Sequence, residues 1–159
     1  MADTPVDLSG RLIREGEKVL AFFQSLGGEQ LDRCVYTDGA EWRVREVLAH
    51  FVSTERAFIS LIENVLSGGS GAPEGFDIDA YNQRKVAALH DIDVPDLLEE
   101  FRQLRSRTAA SVSRLEGDQL QRLARHPYLG VVPLVDIIKL VYRHNQIHLR
   151  DVRKITGVN

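Results

Sequence analysis

His144 and His148 stand one helical turn apart on a strongly apolar C-terminal segment, and His50 lies on another apolar segment earlier in the chain. Residues at i and i+4 of a helix share a face, roughly 5–6 Å apart at Cβ. That spacing lets two imidazoles hold one metal ion. A third imidazole from a neighbouring helix completes a three-ligand site with coordination positions left open. Three neutral imidazoles suit Zn²⁺, Ni²⁺ or Fe²⁺. The apolar seam of the last helix reads Leu134, Ile137, Val141, His144, His148, Val152, Ile155, so both histidines take positions where Leu or Ile is expected. Burying a polar group without a partner costs on the order of 1–3 kcal/mol, so two adjacent histidines in a seam need something to satisfy them. The alternative to a metal is a set of core histidines hydrogen-bonded to carboxylates or water.

His50 is placed on the flank of its own seam, sharing a face with Val47, Thr54, Ala57 and Leu61. Glu does not follow the first histidine of the closing pair, so the spacing is not that of a zincin and brings no general base with it. Asp151, three residues after His148, reads as a surface carboxylate or as an outer partner that orients an imidazole. His90 and His126 fall in connections and read as exposed loop histidines. Cys34, the single cysteine, has nothing near it in sequence to lower its pKa.

Four long amphipathic helices are expected to carry these groups. The first covers about residues 5–26, with Thr4 as N-cap, Pro5 at the first helical position and Asp7 three after the cap. Its apolar positions are Leu8, Leu12, Val19, Phe22, Phe23 and Leu26, and Gly27-Gly28 stops it. The second runs over 44–66 with a stripe of Val44, Val47, Leu48, Phe51, Phe58, Leu61, Ile62 and Val65, and Trp42 is expected to pack back on it as a staple. A long connection over 67–92, helical around 79–89, crosses to the third helix. That helix starts after the N-cap Asp93 and runs to about 115. Residues 116–132 form a loop containing His126-Pro127 and Gly130, and the last helix opens at Pro133 and runs to about 155. Cys34–Tyr36 is the one strand-like piece. The pattern is an all-α four-helix bundle in one domain, residues 1–159.

Apolar residues make up 43% of the chain and charged residues 27%, as in an ordinary globular protein. The net charge is −3 and the cations are dispersed among acids, which is the reason to expect no nucleic-acid partner. Arg102, Arg105 and Arg107, following Glu99 and Glu100, read as a solvated helix face. One cysteine permits no internal disulfide. The N-terminus lacks the features of a signal peptide, and no apolar run is long enough for a membrane span. Together these predict a cytoplasmic protein that does not bind membranes.

Four stretches carry a resemblance. Trp42-Arg43-Val44-Arg45-Glu46-Val47-Leu48-Ala49-His50 leads into the second helix, Asp77-Ile78-Asp79-Ala80-Tyr81-Asn82 lies in the middle, His126-Pro127-Tyr128-Leu129-Gly130 precedes the last helix, and His144-Asn145-Gln146-Ile147-His148-Leu149 closes the series. In this order, over nearly the whole chain, they resemble the DinB-like family of small bacterial bundle proteins. The resemblance implies an up-down-down-up four-helix bundle, a divalent metal at His50, His144 and His148, and a homodimer. It also places Tyr81 and Asn82 at the border of a pocket. Relatives of that family include thiol S-transferases and a maleylpyruvate isomerase that use mycothiol or bacillithiol. The chain departs from the isomerase branch, which tends to carry Glu where His144 stands and has an additional C-terminal domain. The expectation is a metal-dependent thiol S-transferase acting on a small electrophile. The alternatives are a metal-dependent hydrolase and a non-catalytic metal-binding or interaction bundle.

Overall fold

The computed structural model describes residues 3–159. Helix α1 (Pro5–Gln24) begins in a capping box: Thr4 Oγ1 accepts from the Asp7 backbone N–H at 3.1 Å, and the Asp7 carboxylate accepts from the Thr4 N–H at 3.3 Å. After a short helix α2 (Gly28–Leu31), strands β1 (Cys34–Tyr36) and β2 (Trp42–Arg43) pair antiparallel and lead directly into α3 (Val44–Leu66). Helix α4 (Ile78–Ala87) is capped by Asp77, whose carboxylate accepts from the Ala80 N–H at 3.0 Å. Helix α5 (Val94–Ser113) is capped by Asp93 in the same way, through the Asp96 N–H at 3.0 Å. A hairpin of β3 (Leu123–His126) and β4 (Gly130–Pro133) then delivers the chain into α6 (Leu134–Thr156). Gly157 ends α6 at φ 70°, the left-handed conformation that glycine adopts at least cost.

The long helices α1, α3, α5 and α6 form the bundle, and their side-chain bonds fix its sense. Ser9 bonds to Ala109 and Arg105 to Leu12, so α1 and α5 are antiparallel. Arg56 pairs with Glu100 and Arg107 with Glu63, so α3 and α5 are parallel. Arg11 bonds to Tyr142 and Gln146 to Glu15, so α1 and α6 are parallel. The order is therefore up, down, down, up, as expected.

The core falls into two apolar clusters. One gathers Val19, Phe23, Val47, Phe51, Phe101 and Val152 near the β1–β2 end; the other gathers Leu8, Leu12, Phe58, Ile62, Val112, Leu134 and Ile138 near the β3–β4 end. Between them lies a polar layer built on Arg105, which is 2% exposed. Its Nε and one terminal nitrogen donate to both oxygens of Glu55 at 2.8 and 3.0 Å. The same terminal nitrogen also donates to Asn145 Oδ1 at 2.6 Å, and the other donates to the Leu12 carbonyl at 3.1 Å. Thr108 adds a hydroxyl to Glu55 at 3.0 Å. Gly16 makes room on α1: a Cβ there would lie 2.7 Å from Arg105 Cγ. The expectation that Arg105 belongs to a solvated face is thus corrected. It is buried because the three helices packed on α5, namely α1, α3 and α6, each supply a partner or a gap for it.

Other corrections are local. Residues 27–42 and 116–132 are not plain connections, since they contain α2, β1 and β2, and the β3–β4 hairpin. The first helix stops at Gln24, with Ser25 as its C-cap, and Pro133 is the N-cap of α6 rather than its first residue. Ile155 is exposed, while Thr156 is buried in its place and donates to the Val152 carbonyl at 2.9 Å.

Arg105→Met leaves the Glu55 carboxylate buried without its partner and is expected to cost about 3–5 kcal/mol. Replacing both residues with Met is expected to cost much less than the sum of the two single changes. Urea unfolding of the two single variants and the double variant measures this coupling; additive losses would contradict it.

Candidate metal centre

The polar layer continues on its α3–α6 side into the histidine cluster. His50 comes from α3, and His144 and His148 from adjacent turns of α6. Their Nε2 atoms converge: His144 Nε2 is 2.9 Å from His50 Nε2 and 3.1 Å from His148 Nε2. The three rings lie 4.6–5.0 Å apart by centroid. At metal–nitrogen distances of about 2.0–2.1 Å, two imidazole nitrogens at right angles around one ion sit about 3 Å apart. His50, expected on the flank of its seam, is the most buried of the three at 2% exposure. It faces α6 squarely, while the two seam histidines are half-buried.

Two residues that the sequence reading missed build the wall of the site. The Tyr36 hydroxyl lies 2.7 Å from His148 Nδ1 and 2.7 Å from Asp151 Oδ2. A carboxylate only accepts, so the hydroxyl gives its one proton to Asp151 and accepts from His148 Nδ1–H. This fixes the His148 tautomer and turns the Nε2 lone pair toward the other histidines. Asp151 is therefore an outer partner of the site acting through Tyr36, rather than a surface carboxylate. Trp42 does not act as a helix staple alone: its ring lies 4.8 Å from that of His50. Phe51 closes the floor at 5.9 Å from both His144 and His148. Tyr36 and Trp42 reach the site because β1 and β2 pair antiparallel, with Tyr36 opposite Trp42. The strand-like composition of Cys34–Tyr36 is the one signal the sequence offers for this.

Burial pushes the His50 imidazole down to about 3, with a lesser push from His148. Burial also holds His144 well below its ordinary value, reinforced by His50 and His148. His148 is lowered by burial against an opposing pull from Asp151. The Tyr36 hydroxyl is pushed upward, first by burial and then by its bond to Asp151. The cluster is therefore neutral, with lone pairs facing one another. The Nδ1 atoms of His50 and His144 are buried and have no hydrogen-bond partner. No placement of the protons satisfies every ring nitrogen. If the protons sit on Nδ1, three lone pairs oppose each other; if one moves to Nε2, the vacated Nδ1 is an unbonded acceptor. A divalent cation among the Nε2 atoms removes the first conflict, and among the described residues these three side chains are the group that could hold one.

The remaining sequence candidates lie elsewhere. The Tyr81 ring contacts Phe76 and the cations of Arg84 and Lys85, and it shows no contact with the histidines. Asn82 is half-buried on the same helix. His126, expected to be exposed, is buried against Phe58 at 5.8 Å, and its Nδ1 accepts the backbone N–H groups of Tyr128 at 3.0 Å and Leu129 at 3.3 Å. Cys34 is half-buried, with its Sγ 3.4 Å from the Tyr36 carbonyl. Among the described residues no helix is long and apolar enough to cross a membrane.

Comparison with known proteins places this architecture. No curated protein matches the chain. Among solved structures, the colibactin self-resistance protein ClbS, crystallised in complex with a dsDNA, is similar at a TM-score of 0.76 and 12% identity, over 98% of this chain and 96% of its own. An uncharacterised protein from Escherichia coli UTI89 is similar at 0.75 and 15% identity, over 100% and 98%. Another from Clostridium difficile 630 is similar at 0.71 and 14% identity, over 98% of each chain. The ClbS complex overturns the expectation that nucleic acid is excluded as a partner. That expectation rested on net charge, a property of the whole chain, which does not rule out a local phosphate-binding face. The model of the DinB superfamily matches residues 11–152, and the chain belongs to that superfamily.

Proposed function

We propose that His50, His144 and His148 hold one divalent transition metal and that the chain is a metal-dependent thiol S-transferase. The observation that carries the metal is the convergence of three Nε2 atoms, with the tautomer of one fixed by Tyr36 and Asp151. The donor set, all neutral imidazole, fits Zn²⁺, Ni²⁺ or Fe²⁺. A divalent cation supplies one thing to such a reaction: it lowers the pKa of a thiol that binds it. In the overall transfer an S–H bond and the bond to a leaving group break, an S–C bond forms, and the proton departs with the leaving group. The transferase reading rests on kinship with family members that use low-molecular-weight thiols such as mycothiol and bacillithiol.

The chain's own residues have defined tasks in this reading. Asp151 and Tyr36 orient His148 and raise the basicity of its Nε2. Trp42 and Phe51 hold the other rings between aromatic walls and keep water from them. Tyr81 and Asn82, on the helix beside α3, touch none of the three histidines, and a place for them at the edge of a substrate pocket rests on kinship alone. A second reading, association with duplex DNA, is favoured by the dsDNA complex of ClbS, which shares this fold.

The protonation of the site sets its pH dependence. Folding holds His50 neutral down to about 3 and His126 down to about 4, whereas unfolded histidine takes up a proton below about 6.5. The unfolded chain thus binds more protons, and stability rises with pH through this interval. It is fully present above about pH 6.5 and is lost as pH falls toward 4, at up to about 1.4 kcal/mol per pH unit for each histidine. Urea midpoints of chelator-treated protein are expected to be lower at pH 5 than at pH 7; equal midpoints would contradict the neutral buried cluster.

Conjugation of mycothiol, bacillithiol or cysteine to a chromogenic aryl halide tests the transferase reading. Metal-loaded protein is expected to consume thiol and halide together, and His144→Ala is expected to be inactive. Tyr36→Phe is expected to bind metal about 10–100-fold more weakly, read as Ni²⁺ quenching of Trp42, the single tryptophan. Loaded protein that releases halide without thiol would point to hydrolysis instead. Loaded protein with no activity toward any of these would refute the transferase.

A further inference from the structure

Helix α6 carries on its outer side a second feature that the histidine cluster does not use. Arg143, Arg150 and Lys154 stand at i, i+7 and i+11, which places them on one stripe, and all three are exposed. At 1.5 Å per residue the stripe is about 16 Å long. Arg153 flanks it, its guanidinium held 5.1 Å from the centre of the Phe22 ring. From Arg143 to Lys154 the helix bears four cations and one carboxylate, in a chain whose net charge is −3. That carboxylate, Asp151, faces Tyr36 at 2.7 Å and lies 3.8 Å from Lys154. Among the described residues Arg143 and Arg150 form no ion pair, whereas Lys139, earlier on the helix, is paired with Asp3.

The stripe also has a hollow. Gln146, Arg150, Arg153, Lys154 and Asn159 line a cavity of about 520 Å³ with no acidic side chain in its wall. Glu15, across on α1, is engaged by Lys18 at 2.7 Å and by Gln146 at 2.9 Å. Cations in the last turn complement the helix dipole, which accounts for Arg153 and Lys154. It does not account for Arg150 and Arg143, one and three turns further back. Nor does the face suit a lipid surface. Its exposed apolar residues, Ile147 and Ile155, are separated by Asp151, so the continuous apolar strip of an interfacial helix is missing.

A single phosphate cannot span a 16 Å stripe, but a duplex presents about one charge per 1.7 Å of axis and meets cations along its whole length. We propose that this face of α6 binds the phosphate backbone of double-stranded DNA, with the hollow beside Arg150 seating one phosphate. The class of partner rests on the second reading given above; the place rests on the charges alone. Contacts of this kind position a duplex without reading its sequence.

The test is fluorescence anisotropy of a short labelled duplex across a salt series with the full chain, Arg143→Glu/Arg150→Glu/Lys154→Glu, and a control, Arg102→Glu/Arg107→Glu/Arg114→Glu, that changes net charge equally on α5 and its C-cap. Circular dichroism and metal content check that both variants fold. The α6 variant is expected to bind at least about tenfold more weakly, with its log–log salt slope reduced by about three. The control is expected to stay within about twofold of the parent. A parent that binds the duplex while the α6 variant binds equally well would overturn the surface and leave the DNA reading standing. Equal weakening in both variants would reduce the effect to net charge and overturn the surface as well. A parent that does not bind, or that prefers duplex RNA or phosphatidylglycerol vesicles, would overturn both.

Discussion

The structure depends on how one arginine is buried. Arg105 lies in the middle of the bundle, where an isolated charge would be prohibitive, and it is tolerated because three neighbouring helices meet its donors or yield space to it. Such a pair adds little net stability over apolar packing of the same volume. Its consequence is geometric. A bidentate guanidinium–carboxylate contact with Glu55 admits one rotation of α3 against α5. The bonds to the Leu12 carbonyl and to Asn145 extend the same constraint to α1 and α6. The two apolar clusters on either side could slide past one another by a turn at modest cost, but the polar layer between them cannot.

That constraint reaches the histidines through sequence adjacency. Asn145 is held by Arg105, and its neighbour His144 is the central member of the cluster. Glu55 is held on α3 little more than one turn after His50. The register that satisfies Arg105 is therefore the register that brings the Nε2 atoms of His50 and His144 to 2.9 Å. The β1–β2 hairpin then completes the site from outside the bundle by adding Tyr36 and Trp42. The inner side of the cluster is rigid because it is built on helices; the outer side is built on a two-stranded hairpin and a single hydroxyl shared between His148 and Asp151.

Much of this was legible from residue spacing. The i, i+4 pair, the apolar stripes, the caps at Thr4 and Asp93, and the bounds of α3 each reflect local chemistry that a sequence displays directly. The failures share a cause. Arg105 sits among Arg102, Arg107, Glu99 and Glu100, so its neighbours suggest a wet surface; its burial depends on Glu55, Gly16 and Asn145, which are distant in sequence. Asp151 and Tyr36 are more than a hundred residues apart and reveal their relation only when β1 is folded against α6. His126 reads as a loop residue until the turn at Tyr128 and Leu129 points two backbone N–H groups at it. The exclusion of a nucleic-acid partner rested on net charge, which averages over a whole surface and does not rule out a local cationic face.

The most direct measurement is elemental analysis, with X-ray absorption at the metal edge, of protein purified without chelator and of His144→Ala. One equivalent of a divalent transition metal in the parent, surrounded by three imidazole nitrogens at about 2.0–2.1 Å and absent from the variant, is the predicted result. A parent that takes up no Zn²⁺, Ni²⁺ or Fe²⁺, or a His144→Ala variant that keeps its metal, would contradict the three-histidine centre.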